Sequence, residues 1–220
     1  MHQSVRDPHV TAADHLEAEW QLFQAFEAGA TGHFCRTWES ARPAVVVGRN
    51  ASIADQVIQD ACRRDAVPVL RRFTGGGTVI LGPGCLNYAL VVSLVSYPEL
   101  ADVAVSFSTI LEHVAAALNV PNLTVAGGTD LALNDRKVSG NAQRRGRRAL
   151  LHHGTLLYAF DASLAARYLR DPQRQPAYRA ARPHTDFLGS LPLAREAIED
   201  SLRTAWVSSK GVWRPLLTYA

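Results

Sequence analysis

One lysine stands where the chain otherwise writes arginine. Of 23 basic residues only Lys137 and Lys210 are lysines. Lys137 sits in Arg136-Lys137-Val138-Ser139-Gly140. A guanidinium is a planar, permanently charged fork, whereas an ammonium is a compact point charge on a slim stem. A site that slides one positive charge between a carboxylate and a phosphate calls for the second. Ser139, Gly140 and Ala142 follow it, and such small residues fit a backbone approached closely by a ligand. A surface lysine in a hairpin is the plainer alternative.

A second piece of chemistry lies in Arg71-Arg72-Phe73-Thr74-Gly75-Gly76-Gly77-Thr78. Three consecutive glycines between apolar strands are costly in conformational entropy, and a tight hairpin needs only one or two. Bare backbone N–H groups can wrap a phosphate, with Arg71 or Arg72 at the entrance as counter-charge. The glycine spacing, with no Lys-Ser/Thr after it, is not that of a Walker loop. A glycine bulge at a sheet corner is the structural alternative. In His152-His153-Gly154-Thr155 the adjacent histidines point to opposite faces of a strand, which argues against a zinc site built from both. His153-Gly154-Thr155 reads either as a polar break lining a pocket or as a buried, hydrogen-bonded histidine. Cys85, near the glycines, is a nucleophile in principle and a small core residue by type. With Cys35 and Cys62 it makes an odd, widely spaced set, which fits neither a disulfide framework nor a metal-binding pair.

The elements that must hold these groups follow from periodicity. Residues 12–27 place Leu16, Trp20, Phe23 and Phe26 at helical spacing behind Thr11, with Trp20 read as core. Alternation predicts strands over 33–38 and 44–47, the second closed by Gly48-Arg49-Asn50. A helix is expected over 53–64 and a strand over 67–70, leading into the glycines. After Gly82-Pro83-Gly84 comes a strand over 85–92. A helix over 101–118 then turns Val105, Ile110, Leu111, Val114 and Leu118 inward and stops at Pro121. Strands over 130–133, 136–143 and 149–158, joined by Asn134-Asp135 and by Arg144-Arg145-Gly146-Arg147-Arg148, make a meander and not a βαβ repeat. Helices over 162–169 and 191–207 flank a proline-broken loop over 172–182, and Trp213 is expected to pack near the end.

At 220 residues, 47 % hydrophobic and 20 % charged, the chain has the composition of a globular protein. A net charge of +3 is too slight to argue for nucleic acid. No apolar run approaches the ~20 residues of a membrane span. The first twenty residues lack a signal peptide's apolar core, which leads to an expectation of cytoplasmic location. The four arginines around Gly146 leave open a non-enzymatic reading, a basic module that binds an acidic partner.

Three segments, RRFTGGGTVILGPGCLNY, TDLALNDRKVSGNAQ and LLHHGTLLY, in this order, resemble the lipoate–protein ligase A family, which shares its fold group with biotin ligases and octanoyltransferases. The resemblance implies an α+β fold: a mixed, mostly antiparallel sheet flanked by helices, like the biotin/lipoate-ligase catalytic domain. It implies ATP with Mg2+, lipoate as substrate, and lipoyl-adenylate as the intermediate that acylates a lysine of an acidic acceptor domain. Such acceptors are of the 2-oxoacid dehydrogenase E2 or glycine-cleavage H protein type. Lys137 would be catalytic. Arg72, Gly75, Gly76, Gly77, Thr78, Asn87, Asp130, Ser139, Gly140, His153, Gly154 and Thr155 would bind substrate and ATP, with Asp130 also the metal candidate. The chain departs from the family at Leu81, near where relatives carry a histidine, and at Thr129, where an asparagine is expected. We expect residues 1–220 to form one catalytic domain without the accessory domain of many bacterial ligases. A separate accessory subunit, or transfer of a preformed octanoyl or lipoyl group, is then the alternative. Octanoyltransferases use a cysteine thioester, for which Cys85 would be the candidate.

Overall fold

The computed structural model describes residues 1–208, so Trp213 and Lys210 lie outside the described residues. Two sheets form the framework. The larger has the order β1-β2-β6-β10-β9-β8-β7. Its strands are β1 (His2–Val5), β2 (His33–Glu39), β6 (Cys85–Ser93), β7 (Leu123–Ala126), β8 (Asp130–Leu133), β9 (Arg136–Arg145) and β10 (Ala149–Leu157). Only β1 runs parallel, beside β2; the other pairings are antiparallel. The smaller sheet places β3 (Ala44–Val47) between β4 (Val69–Arg71), parallel to it, and β5 (Thr78–Leu81), antiparallel. The mixed, mostly antiparallel architecture expected from the motifs is thus present, with β8, β9 and β10 as the meander.

Apolar runs decide the layers. Strand β6 is buried at all nine positions, between β2 and β10. On one face, Phe23 and Phe26 of α1 (Ala12–Glu27) pack on Ala89, Val91, Ala149 and Leu151. On the other, Ile110, Leu111 and Val114 of α4 (Val103–Leu118) and Ile198 and Leu202 of α7 (Arg195–Ser208) cover Leu90, Val92 and Leu150. A third cluster joins the small sheet to Leu16, Trp38 and Tyr168. Each such aliphatic side chain contributes roughly 1.5–3 kcal/mol on full burial. Helix α1 starts in a reciprocal cap: Asp14 N–H donates to Thr11 Oγ1, and Thr11 N–H to the Asp14 carboxylate.

Several expectations are corrected. The helix over 53–64 is two, α2 (Ile53–Gln56) and α3 (Gln59–Arg64). Val57, 1 % exposed, goes extended between them to bridge Leu169, and Ile58 N–H bonds Tyr168 O. Tertiary pairing outweighs local helix propensity there. The closing helix begins at Arg195, not 191, because Leu191 N–H is held by Leu157 O at the end of β10. Helix α4 starts at Val103 behind the Asp102 cap, and Val105 faces solvent while Ser106 is buried. Strand β1 went unread, since its hydrogen-bonding partner β2 is thirty residues away. Helices α5 (Ser163–Tyr168) and α6 (His184–Phe187) and two 3-10 turns, Pro98–Ala101 and Ala177–Arg179, complete the described chain, in which no helix is long and apolar enough to cross a membrane.

Gly84 pins the ends of β6 and β10 together. Its carbonyl accepts from Tyr158 N–H and Ala159 N–H, its φ is +81°, and an added Cβ would overlap the Ala159 backbone. Gly84→Ala is expected to cost about 1–3 kcal/mol for the backbone conformation alone, read as a lowered denaturant midpoint. An unchanged midpoint would show that the two ends are not locked.

Candidate active site

The site begins with a change of neighbour along β9. Residues 136–140 pair with β8, and residues 141–145 pair with β10. Within the first half the register shifts: Leu131 faces Ser139, yet Ala132 faces Lys137, which leaves Val138 as the extra residue of a bulge. Strict alternation would put Lys137 and Gly140 on opposite faces. The bulge sends Val138 into the core, 0 % exposed, and brings Lys137 round to the side of Asp130 and Gly140. Lys137 Nζ then lies 2.8 Å from Asp130 Oδ1. A Cβ on residue 140 would stand 2.9 Å from that Nζ and 2.8 Å from Cε, so the glycine is the room the lysine occupies. The other Asp130 oxygen accepts from Tyr178 Oη at 2.8 Å. Burial and the neighbouring carboxylate raise the Tyr178 phenol pKa, so it remains a donor.

The glycine loop is built on Arg72. Its guanidinium is buried and donates to Thr74 Oγ1 (2.8 Å), Val46 O (3.2 Å), Gly75 O (2.6 Å) and Gly77 O (2.9 Å). Burial lowers its pKa to about 10, which still leaves it charged at neutral pH. Arg72 thus supports the loop from within, and Arg71 does the same for the neighbouring turn through Gly48 O, Arg49 O and Ala51 O. Thr74 continues the chain of bonds. His153 Nε2 lies 2.7 Å from its hydroxyl, and His153 Nδ1 lies 2.6 Å from Glu19 Oε2. Trp38 Nε1 donates to the other Glu19 oxygen at 2.8 Å. With the proton of His153 on Nδ1, every hydrogen in this chain finds an acceptor. Trp20, half-buried, packs against the Phe23 and Phe26 core cluster as expected and also touches Phe73 of the loop.

A second polar chain crosses β10 and β9. Gln143 donates to His152 Nδ1 (3.0 Å), which leaves Nε2–H to donate to Tyr88 Oη (3.1 Å); Tyr88 donates to Asn141 Oδ1 (2.6 Å). Asn141 Nδ2 donates to Thr129 O and Ser139 Oγ. Gly154 is forced by this chain, because a Cβ there would collide with the Asn141 amide. Burial holds His152 neutral, its pKa lowered to about 3. Arg145 joins the same wall through Gln143 Oε1, Ser106 Oγ, Leu100 O and Ala101 O. It therefore leaves the basic hairpin tip, which keeps Arg144, Arg147 and Arg148. The backbone N–H groups of the tip close on the Glu27 carboxylate.

Two cavities meet at the lysine. One, of 430 Å³, runs to Leu16, Val46 and Trp38; the other, of 950 Å³, runs to Arg170, Arg174, Arg179 and His184. Both are lined by Gly76, Gly77, Asp130, Lys137, Gly140 and Thr155. Arg72, Gly75, Thr78, Asn87, His153 and Gly154 also line the first, as do Leu81 and Thr129, where the family departures lie. Of the expected set only Ser139 lines neither cavity; it is buried beside Asn141. Cys85 is 0 % exposed, and burial, then Glu39, push its thiol pKa up. Among the described residues no group of three His, Cys, Asp or Glu side chains could hold a metal ion. Asp130 offers one carboxylate, and a magnesium ion carried by nucleotide phosphates needs only one or two from a protein. Sequence reasoning missed Glu19 and Tyr178. A carboxylate on the apolar stripe between Leu16 and Phe23 was the available signal for Glu19; Tyr178, in an irregular loop, had none.

Residues 11–192 match the model of the lipoyl protein ligase A/B catalytic domain. Lipoate-protein ligase A of Blochmanniella floridana is 30 % identical over 168 residues, 73 % of this chain and 46 % of that protein. The human mitochondrial lipoyl amidotransferase LIPT1 is 29 % identical over 140 residues, 61 % and 35 % of the two chains. The chain thus spans less than half the length of these curated relatives. In fold it matches a bi-partite lipoate protein ligase from Thermoplasma acidophilum, with a TM-score of 0.77, 18 % identity and 94 % and 82 % of the two chains covered. It also matches a lipoate-protein ligase A bound with ATP, with a TM-score of 0.69, 21 % identity and 88 % and 78 % covered.

Two buried histidines make the stability of this arrangement pH-dependent. His15 stacks on Trp38 at 4.2 Å, accepts from Arg36 at 2.9 Å, and has its pKa lowered to about 4, first by burial and then by Arg36. For His15 and His152 the folded state is neutral where the unfolded chain, with pKa near 6.5, takes up protons. Stability is therefore full above pH ~6.5 and declines as pH falls toward 4 and then 3, by up to about 1.4 kcal/mol per pH unit for each group. NMR titration is expected to show both imidazoles neutral at pH 5. Protonation of His152 near pH 6.5 in the folded protein would contradict the hydrogen-bond chain.

Proposed function

The chain belongs to the lipoyl protein ligase A/B catalytic-domain family, and from that premise we propose that it attaches lipoate to a lysine of an acceptor lipoyl domain through lipoyl-adenylate formed from ATP. The observation that carries this is the place of Lys137, where a cavity that reaches the apolar side chains of Leu16, Val46 and Trp38 meets one lined by Arg170, Arg174 and Arg179. In this reading the acyl tail lies toward Leu16 and Trp38 with its carboxylate at Lys137, and the phosphates enter along Arg170, Arg174 and Arg179. A carboxylate oxygen attacks the α-phosphorus and the bond to pyrophosphate breaks. The acceptor amine then attacks the acyl carbon, AMP departs, and the amine loses its proton. Lys137 faces the negative charge that gathers during the first step, and a preorganised donor at such a place lowers the barrier. Asp130 keeps the ammonium on station and would be the carboxylate that holds a magnesium ion brought by the nucleotide, which would neutralise phosphate charge there. The structure of a lipoate-protein ligase A bound with ATP supports the nucleotide requirement.

The acceptor would be an E2 or H-protein type lipoyl domain; the Thermoplasma acidophilum ligase, described together with its E2 lipoyl domain, supports that class. That ligase is bi-partite, which supports a version in which a second polypeptide completes adenylation. The likeness to LIPT1 favours the alternative, transfer of a preformed acyl group. A thioester route through Cys85 is disfavoured by its burial. Residues 1–208 are read as one catalytic domain because the three apolar clusters share its two sheets. Arg144, Arg147 and Arg148 are taken as an aid to acceptor docking and not as a nucleic-acid surface.

Mass spectrometry of a lipoyl domain incubated with the protein, Mg-ATP and free lipoate should show the lipoyl mass gain. Gain only with octanoyl carrier protein would establish the transferase instead. Lys137→Ala and Lys137→Arg should each lower turnover at least ~100-fold, as for loss of one transition-state donor, with the fold kept as read by circular dichroism. Near-normal turnover by the arginine variant would remove the argument for an ammonium. Cys85→Ser should keep most activity, with no acyl adduct on the enzyme; an adduct lost in this variant together with activity would overturn the adenylate route.

A further inference from the structure

The second half of β9 has a free edge. Asn141 N–H donates to Thr129 O on the β8 side (3.0 Å), and Gly146 N–H donates to Ala149 O on the β10 side (2.9 Å). By the alternation of an antiparallel ladder, Ala142 and Arg144 therefore bond β10, while the backbone groups of Gln143 and Arg145 point outward. Strand β8 ends at Asp130, opposite Gly140, so among the described residues no strand reaches Gln143 or Arg145 on that side. The same stretch borders the acyl-side cavity, which Ala142, Gln143 and Arg145 line together with Val103, 54 % exposed at the start of α4. Arg147 and Arg148 are exposed at the hairpin tip beyond it.

We propose that this edge, from Ala142 to Arg145, receives the lysine-bearing segment of the acceptor as an added β-strand. The proposal rests on the acceptor part of the functional reading and holds for ligase and transferase alike. An added strand takes its affinity from main-chain hydrogen bonds and its specificity from alternate side chains. Here the outward N–H and C=O groups of Gln143 and Arg145 supply the bonds. Gln143 lies three residues from Gly140, about 10 Å along the strand. A lysine just past the paired segment thus projects over the cavity beside Lys137. The occupant is an extended segment with acidic neighbours: carboxylates at the far end of the strand meet Arg147 and Arg148, and Val103 offers an apolar contact. An open edge invites unwanted pairing, and flanking arginines restrict it to a negatively charged partner.

Amide-resolved hydrogen exchange of the full chain tests this, with an unmodified lipoyl domain added without acyl donor so that no turnover occurs. The Gln143 and Arg145 amides are expected to exchange freely in the protein alone and at least tenfold more slowly with saturating acceptor, the amides of β7 being unaffected. The double substitution Arg147→Gln, Arg148→Gln should raise the acceptor KM at least threefold with kcat at saturation retained, and the difference should shrink at high salt. If the acceptor is acylated normally while both amides stay unprotected and KM is unchanged, the docking edge is wrong and the function stands. If no donor leads to acylation and no acceptor binds, the functional reading fails and takes the proposal with it. Protection that appears without acceptor and grows with the protein's own concentration gives the edge to a second copy and overturns the proposal.

Discussion

A strand that serves two neighbours in turn creates the opening at the centre of this protein. Between Gly140 and Asn141, β9 leaves β8 for β10, and the widening between them exposes Lys137, Gly140 and Thr155 to both cavities. A regular ladder would have turned the ammonium of Lys137 toward the core occupied by Val138, where an unpaired charge is very costly. The bulge exchanges the two faces for one residue's worth of unpaired backbone. Gly189 N–H, bonded to Lys137 O at 2.8 Å, secures the bulged segment from its other side. The position of the charge is therefore stored in the backbone, and Asp130 only fixes its last degree of freedom.

The glycine loop is stable for a related reason. Three glycines lose much conformational entropy on ordering, and the loop offers few apolar groups to offset that loss. A buried guanidinium does so instead, with four hydrogen bonds, three of them to backbone carbonyls. Desolvating Arg72 is itself unfavourable, and the buried Glu19, linked through His153 and Thr74, returns part of that cost as opposite charge. Helix α1, strand β10 and the loop are tied into one polar unit, so a change in Glu19 on a distant helix reaches the glycines of the loop.

What the sequence could reveal followed interaction range. Segments with strong periodicity, such as α1 and β10, were legible, and Lys137 and the glycine triplet, singled out by their own neighbours, line one cavity. Strand β1, the break at Val57 and the start of α7 depend on bonds to β2, to Leu169 and to Leu157, and no local pattern encodes these. Arg72 was read as a counter-charge for phosphate, and three of its hydrogen bonds go to the loop and a fourth to Val46 of β3. Arg145 was read as one of four arginines in the turn around Gly146, yet it folds back onto the carbonyls before α4. For both, residue type was informative about charge and silent about the backbone carbonyls that the guanidinium bonds.

The choice of lysine over arginine at 137 acquires a physical reason from the geometry. The end of the side chain lies against the Cα hydrogens of Gly140, where an added Cβ would already crowd Cε and Nζ. A planar fork is wider than that stem and could not enter without moving β9. On the proposed reaction the ammonium has a second consequence. The acceptor's amine must arrive neutral to attack the acyl carbon, and a nearby positive charge disfavours its protonated form. Lys137 thus opposes the charged form of the incoming lysine while attracting the carboxylate and phosphate. Asp130, holding Lys137 from one side and Tyr178 from the other, keeps that field directed into the junction of the two cavities.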